Sequence, residues 1–321
     1  MRALVTGGAG FIGSTLVDRL LAEGHSVDVI DDLSTGSLAN LAGARASTDN
    51  DLSFHRLDIR APEVVELITR RAPEVIFHLA AQADVRASVA DPVFDADVNL
   101  IGTLRILEGA RSAGTQRVVF AASGGTLYGE PDVSELPLKE SLPQHPLSPY
   151  GVSKKAALDY LIAYRELHSL EFAALALANV YGPRQDPHGE AGVVAIFAER
   201  LLRGQTVTIF GDGEQTRDFV YVDDVVDGFV RAASKGGGLV CNIGTGNETS
   251  VNTLFREMAT QAGVDVEPEF KPLRQGELAR NCLDPSRAGI QLGWSSWTEL
   301  STGTAATIGF VRDKLTEAGE L

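Results

Sequence analysis

One segment constrains this chain more than any other: Gly7-Gly8-Ala9-Gly10-Phe11-Ile12-Gly13. It follows a short apolar run at residues 3–6 and opens a helix-like stretch at 11–23. The early glycines permit a tight turn and let backbone N–H groups approach a pyrophosphate. Gly13 permits close packing of helix on strand, and the helix N-terminus offers positive partial charge. Between a strand and a helix, this spacing predicts a dinucleotide cradle.

The rest of the first half keeps the same rhythm. Strands are expected at residues 3–6, 27–30, 53–56, 75–78, 118–121 and 172–177, and helices at 11–23, 62–71, 92–113 and 150–168. The strand runs are almost continuously apolar, as in a parallel sheet covered by helices on both faces. The expected fold is therefore α/β, a Rossmann-type doubly wound parallel sheet over residues 1–178. Beyond it, residues 179–321 alternate short strands, helices and Gly/Pro-rich loops, and are read as a smaller mixed α/β portion that binds substrate. Segments near 219–246 are candidates to rejoin the main sheet.

Composition narrows the partners. The 321 residues carry 28 Lys and Arg against 43 Asp and Glu, a formal charge of −15. Such a chain lacks the positive field that bulk nucleic acid or an anionic membrane requires. No apolar run reaches the roughly 18 residues of a membrane span. The two cysteines, Cys241 and Cys282, are too few for a disulfide scaffold, so a reducing cytoplasm is expected. His188 among scattered carboxylates lacks ligand spacing, and no metal is expected.

Asp31 closes the second strand, eighteen residues after Gly13. A carboxylate there accepts hydrogen bonds from the adenosine ribose and repels a 2′-phosphate. Asp32 adds to that repulsion, and residues 33–36 bring no arginine, so NAD is favoured over NADP. Asp58 and Ile59 follow the third strand as an adenine contact. Leu79, Ala80, Ala81 and Gln82 leave the fourth strand with side chains small enough for a dinucleotide to cross.

Tyr150 and Lys154, at i and i+4, share one face of the helix after the proline-rich loop. A phenol with a pKa near ~10 is a poor base at neutral pH. A neighbouring ammonium and a cationic nicotinamide ring favour its ionised form. Tyr150 could then exchange a proton with a sugar hydroxyl, with Lys154 also holding the nicotinamide ribose. The loop Ser123-Gly124-Gly125-Thr126-Leu127-Tyr128-Gly129 supplies hydroxyls at the fifth strand's exit.

Together these motifs resemble the extended short-chain dehydrogenase/reductase family, and within it the UDP-hexose 4-epimerases. The likeness also runs through Asn99, Asn179-Val180-Tyr181-Gly182-Pro183-Arg184, Phe210-Gly211-Asp212-Gly213, Arg217-Asp218 and Asn242-Ile243-Gly244-Thr245-Gly246. It implies an NAD-dependent isomerase working through a transient 4-keto sugar, with Asn99 joining the cofactor set. It further implies diphosphate contacts from Asn179, Arg217 and Arg274, a uridine ribose contact from Glu277, and uracil stacking by Phe210 beside Thr208. Val193 and Val194 belong to the same implied substrate set. Dehydratases and decarboxylases of the family carry a carboxylate where this chain has Gly124-Gly125, which points to epimerisation. Many relatives place a catalytic Ser or Thr at Gly124, so Ser123, Thr126 or a water must serve, with Thr126 favoured. Arg86 and Arg184 are the candidates to meet a hexuronate carboxylate, and Asn281 resembles a small pocket gate. UDP-glucose and UDP-galactose are favoured, with UDP-glucuronate the alternative. The resemblance also implies a homodimer through the helices near 92–113 and 150–168. A non-catalytic NAD-sensing module is the more distant reading.

Overall fold

Six of the apolar runs form neighbouring strands of one sheet in the computed structural model, which describes residues 1–47, 51–187, 192–273 and 278–321. The strands are β1 (Arg2–Thr6), β2 (Ser26–Asp31), β3 (Leu52–Arg56), β4 (Val75–His78), β5 (Arg117–Ser123) and β6 (Glu171–Leu177). A seventh, β7 (Leu239–Ile243), completes the edge. The order is β7-β6-β5-β4-β1-β2-β3, and every pairing is parallel. The chain runs outward from β1 to β3, then crosses back to β4, so a crevice opens between the C-terminal ends of β1 and β4. This is the doubly wound Rossmann-type sheet expected from the strand pattern.

Helices α1 (Phe11–Ala22), α2 (Glu63–Arg71), α3 (Gly102–Ala113) and α4 (Pro149–His168) cover the sheet. Leu16, Val17 and Leu20 of α1 are fully buried. At Gly109 of α3 a Cβ would lie 2.9 Å from Ile68 of α2, so glycine sets how closely the two helices approach. The single helix expected at 92–113 is interrupted. A short turn at Pro92–Ala96 passes into a π-helical turn at Asp97–Ile101 before α3 begins. The wider turn faces Asn99 inward, where its side chain holds the Gln82 backbone from both sides.

Of the segments near 219–246, Leu239–Ile243 enters the main sheet as β7. Phe219–Tyr221 instead pairs with Asn179–Tyr181 in a separate two-stranded sheet. Asp218, fully buried beside it, fixes this junction. Its carboxylate accepts from the Thr245 N–H and hydroxyl, the Gly246 N–H and the Leu283 N–H. Burial pushes the Asp218 carboxyl above its ordinary range, and these donors oppose that rise. A second apolar cluster, including Tyr181, Phe197, Phe255, Met258 and Ile308, forms the core of the later part of the chain.

Candidate active site

The sheet's crevice deepens into a cavity of about 2210 Å³. Gly7, Gly10, Phe11, Ile12 and Gly13 line it from the first turn, and Asp31 and Asp32 from the end of β2. Gly7 has φ +69°, and a Cβ there would lie 2.8 Å from the Ala80 nitrogen. A Cβ at Gly13 would overlap the Gly7 carbonyl oxygen. Among the described residues, no side chain caps the N-terminus of α1, whose N-cap is Gly10. Its first N–H groups are therefore left for an anion.

Asp31 is set by its own loop. Its Oδ2 accepts from the Ala9 N–H and its Oδ1 from the Leu33 N–H, each at 2.9 Å. Burial holds its carboxyl above the ordinary carboxylate range, while these two donors pull it down. Each oxygen retains a lone pair for a ribose hydroxyl. Asp58 and Ile59 line the same end of the cavity. No sequence motif singles out Arg60, yet it binds Asp58 at 2.6 Å and holds that carboxyl below its ordinary range. Arg60 also reaches Asp97 at 3.4 Å and lies 5.1 Å from the Phe94 ring centre.

On the other side of the cavity stand Ser123, Thr126, Tyr150 and Lys154. Ser148 caps α4 by accepting from the Gly151 N–H at 3.2 Å, and Pro149 occupies its first turn. Tyr150 thus sits at a helix N-terminus, where partial positive charge favours an anion. A Cβ at Gly151 would lie 2.9 Å from the Thr126 carbonyl oxygen, so glycine allows α4 to abut the β5 exit. Lys154 is 3% exposed, donates to the Ala121 carbonyl at 3.0 Å, and lies 4.7 Å from the Phe120 ring centre. Beneath it, His78 bonds Thr6 at 2.7 Å and Thr103 at 2.9 Å. Burial, and secondarily the Lys154 charge, push His78 down to about 3. At neutral pH His78 is therefore uncharged and adds no second positive charge beside Lys154.

Residues 3–244 match the NAD dependent epimerase/dehydratase family. The chain belongs to this family. It is 53% identical to the UDP-glucose 4-epimerase of Mycolicibacterium smegmatis, over 98% of this chain and 99% of that protein. The crystal structure of UDP-glucose 4-epimerase from Thermotoga maritima with UDP-glucose superposes with a TM-score of 0.94 at 45% identity, covering 98% and 100% of the two chains. The Thermus thermophilus UDP-glucose 4-epimerase complex with NAD gives 0.89 at 42% identity, covering 97% and 99%.

Most of the positions that resembled the epimerase/dehydratase family meet in this cavity. Leu79, Ala80, Ala81, Gln82, Arg86, Asn179, Arg184 and Arg217 all line it. Asn99 does not. It is 1% exposed and spends its amide on Gln82 and Asp95, so it shapes the β4 exit instead of lining the cavity. The Gln82 side chain is also engaged inward, with Asp84 and Asp95. Val193, Val194, Thr208 and Phe210 are not among the lining residues. Val194 is buried in the second core, and Thr208–Phe210 pairs with Glu269–Lys271. Arg274, Glu277 and His188 lie outside the described residues. Arg184, at φ +72°, is ion-paired with Asp18 of α1 at 2.7 Å, a contact 166 positions apart that no local pattern announces. Arg86 pairs with Asp84 at 3.4 Å. Among the described residues, no group of three or more His, Cys, Asp or Glu could hold a metal ion, and no helix could cross a membrane.

Proposed function

We propose that this protein is an NAD-dependent UDP-sugar 4-epimerase that interconverts UDP-glucose and UDP-galactose. The observation that carries the reading is that Tyr150 and Lys154 line the same cavity as the glycine turn and Asp31. That cavity can hold a dinucleotide and a sugar against one phenol. The glycine cradle, the uncapped α1 N-terminus and Asp31 suit NAD's pyrophosphate and adenosine ribose. Bound there, NAD supplies the acceptor, and then the donor, of the hydrogen on sugar C4.

The chain's own groups do the proton work. Tyr150 takes the O4 proton as the alcohol becomes a ketone and returns it to O4 once the sugar has turned the opposite face of C4 toward the cofactor. The Lys154 ammonium and the α4 N-terminus favour the ionised phenol that this requires. Although Thr126 is the hydroxyl favoured from the sequence, the local geometry supports Ser123 as the relay. Its hydroxyl occupies a helix N-cap position yet makes no cap bond, whereas Thr126 reaches back to the Ser123 carbonyl at 3.5 Å. Gly124 and Gly125 place no carboxylate beside the sugar, which supports epimerisation over elimination.

The neutral-sugar reading is supported by the engagement of both candidate arginines. Arg184 is tied to Asp18 and Arg86 to Asp84, so neither stands uncommitted for a C6 carboxylate. Arg217 and Asn179 are the residues for the diphosphate, joined by Arg274 and Glu277 for the nucleotide. A homodimer is supported by exposed apolar side chains on adjacent helical segments, with Val93 78% exposed and Leu167 75%.

The test is incubation with UDP-glucose, UDP-galactose and UDP-glucuronate separately, with NAD present and C4 configuration followed by NMR. Interconversion of the first two is expected. Turnover of UDP-glucuronate alone would overturn the sugar assignment, and no change in any of the three would overturn the enzyme reading.

A further inference from the structure

Asp95 is fully buried, and its carboxylate is bound by three neutral side chains from three parts of the chain. Oδ1 accepts from Gln82 Nε2 at 3.0 Å and from Asn99 Nδ2 at 2.8 Å. Oδ2 accepts from the Ser153 hydroxyl at 2.7 Å. Gln82 belongs to the cavity-lining exit from β4, and its backbone N–H and C=O are both held by Asn99. Ser153, 5% exposed, is the α4 residue directly before Lys154 and three after Tyr150. An amphipathic-helix pattern gives no reason to bury a carboxylate at position 95. A hydrophobic residue would fill the space without the cost of dehydrating a charge. What the carboxylate adds is direction, because both oxygens are committed and each fixes a different wall of the cavity.

We propose that Asp95 is a positioning residue that locks the catalytic helix α4 to the dinucleotide-lining edge of β4. This inference rests on the reading of Tyr150 and Lys154 as the proton-transfer pair. One oxygen holds the Gln82–Asn99 clip, which sets the β4 exit. The other holds Ser153, which sets the rotation of α4 and with it the phenol and the ammonium. The clamp has a separable prediction for each half. Removing the Ser153 hydroxyl frees α4 but leaves the Gln82–Asn99 clip intact. Removing the Asp95 carboxylate loosens both. An Asn at 95 can accept from Gln82 and Asn99 through its oxygen and donate to Ser153 through its amide, which keeps the geometry without the charge.

The experiment measures kcat and KM for UDP-galactose at saturating NAD, NAD affinity by calorimetry, and melting temperature, for the wild type, S153A, D95A and D95N. S153A is expected to lose kcat by about tenfold, since a misplaced phenol slows chemistry more than binding. Its NAD affinity and its KM should stay at wild-type values. D95A should show the same kcat loss and weaker NAD binding as well, and D95N should recover most of both. Wild-type kcat in S153A would overturn the proposal. So would a D95N variant no better than D95A, or a D95A variant with a lower melting temperature and unaltered kcat and NAD affinity. If D95A fails to fold, S153A and D95N still decide the matter. An inactive wild type would instead sink the functional reading, while the NAD affinities would still report on the Gln82 half of the clamp.

Discussion

The Lys154 ammonium lies 5.8 Å from the centre of the Tyr150 ring, one helical turn along α4. The lysine is buried against Phe120 and the Ala121 carbonyl, so its charge is held in place and poorly screened by solvent. A buried cation next to a phenol is the arrangement that the proposed proton exchange at O4 would need. Replacing Tyr150 with Phe keeps the ring and removes the acid. Turnover should fall roughly a thousandfold, the middle of the range for a lost general acid–base group. NAD affinity, measured by calorimetry, should change little. A Tyr150→Phe enzyme with full turnover would remove the phenol from the mechanism.

The two hydroxyls at the β5 exit make opposite predictions. Ser123 sits at the start of a one-turn helix without capping it, and Thr126 is turned toward the Ser123 carbonyl. Ser123→Ala should therefore lower kcat by about a hundredfold, and Thr126→Val should leave it nearly unchanged. The reverse pattern would transfer the relay to Thr126. Equal and small effects would assign it to water.

What the sequence made legible was local. The glycine turn, Asp31 and the Tyr150/Lys154 pair were readable because each is a fixed spacing inside one strand–loop–helix unit, and the cavity gathers all of them. Contacts made across long separations left no such trace. Asp95 meets Ser153 across 58 positions, and Arg184 meets Asp18 across 166, with neither partner marked by its neighbours. The π-helical turn at Asp97–Ile101 is not legible in the sequence for a related reason. Within it Asn99 bonds Gln82, a contact that helical periodicity within 92–113 cannot report. The family resemblance likewise assigns Asn99 to the cofactor set, whereas its side chain is buried on Gln82 and Asp95 and does not line the cavity.

Exposed apolar side chains give the dimer prediction its shape. Val93 and Ile101, on the segment before α3, and Tyr160 and Leu167, on α4, are all exposed, and these segments pack on one another. Ile101→Glu or Val93→Glu would force a carboxylate into an apolar contact between copies. Either change should shift sedimentation toward the monomer and leave the monomer's fold, read by circular dichroism, intact. A wild type that sediments as a monomer at micromolar concentration would end the homodimer proposal.

Gly124 supplies a packing prediction. A Cβ there would overlap the Leu283 side chain and lie 3.1 Å from the Ala176 carbonyl oxygen, and Leu283 is fully buried. Gly124→Ala should therefore destabilise by about 1–3 kcal/mol through overpacking. Combining it with Leu283→Ala should cost less than the two changes summed, because each relieves the other. Urea unfolding of the four proteins measures this. Strict additivity would show that Leu283 is not what crowds the position. A serine at 124 would meet the same crowding from Leu283, which supports leaving the relay to its neighbours.

His78 ties stability to pH. It is fully buried between Thr6 and Thr103, and burial with the Lys154 charge lowers it to about 3 from the ordinary value of 6.5. In the unfolded chain this histidine takes a proton as pH falls through 6.5, while the folded protein refuses it until about 3. The unfolded state thus binds more protons throughout that window, and folding stability declines as pH falls across it. The limiting slope from this one group is about 1.4 kcal/mol per pH unit. Above pH 6.5 the contribution is complete and constant. Replacing His78 with Gln, which can still bridge the two threonines, should leave stability at pH 7.5 lower by the loss of packing but should remove one proton's worth of slope between pH 6 and 5. Urea unfolding of both proteins at pH 7.5, 6 and 5 measures it. Parallel stability profiles for wild type and His78→Gln would mean that the buried imidazole does not resist protonation, and that Lys154 shares its pocket with a second cation.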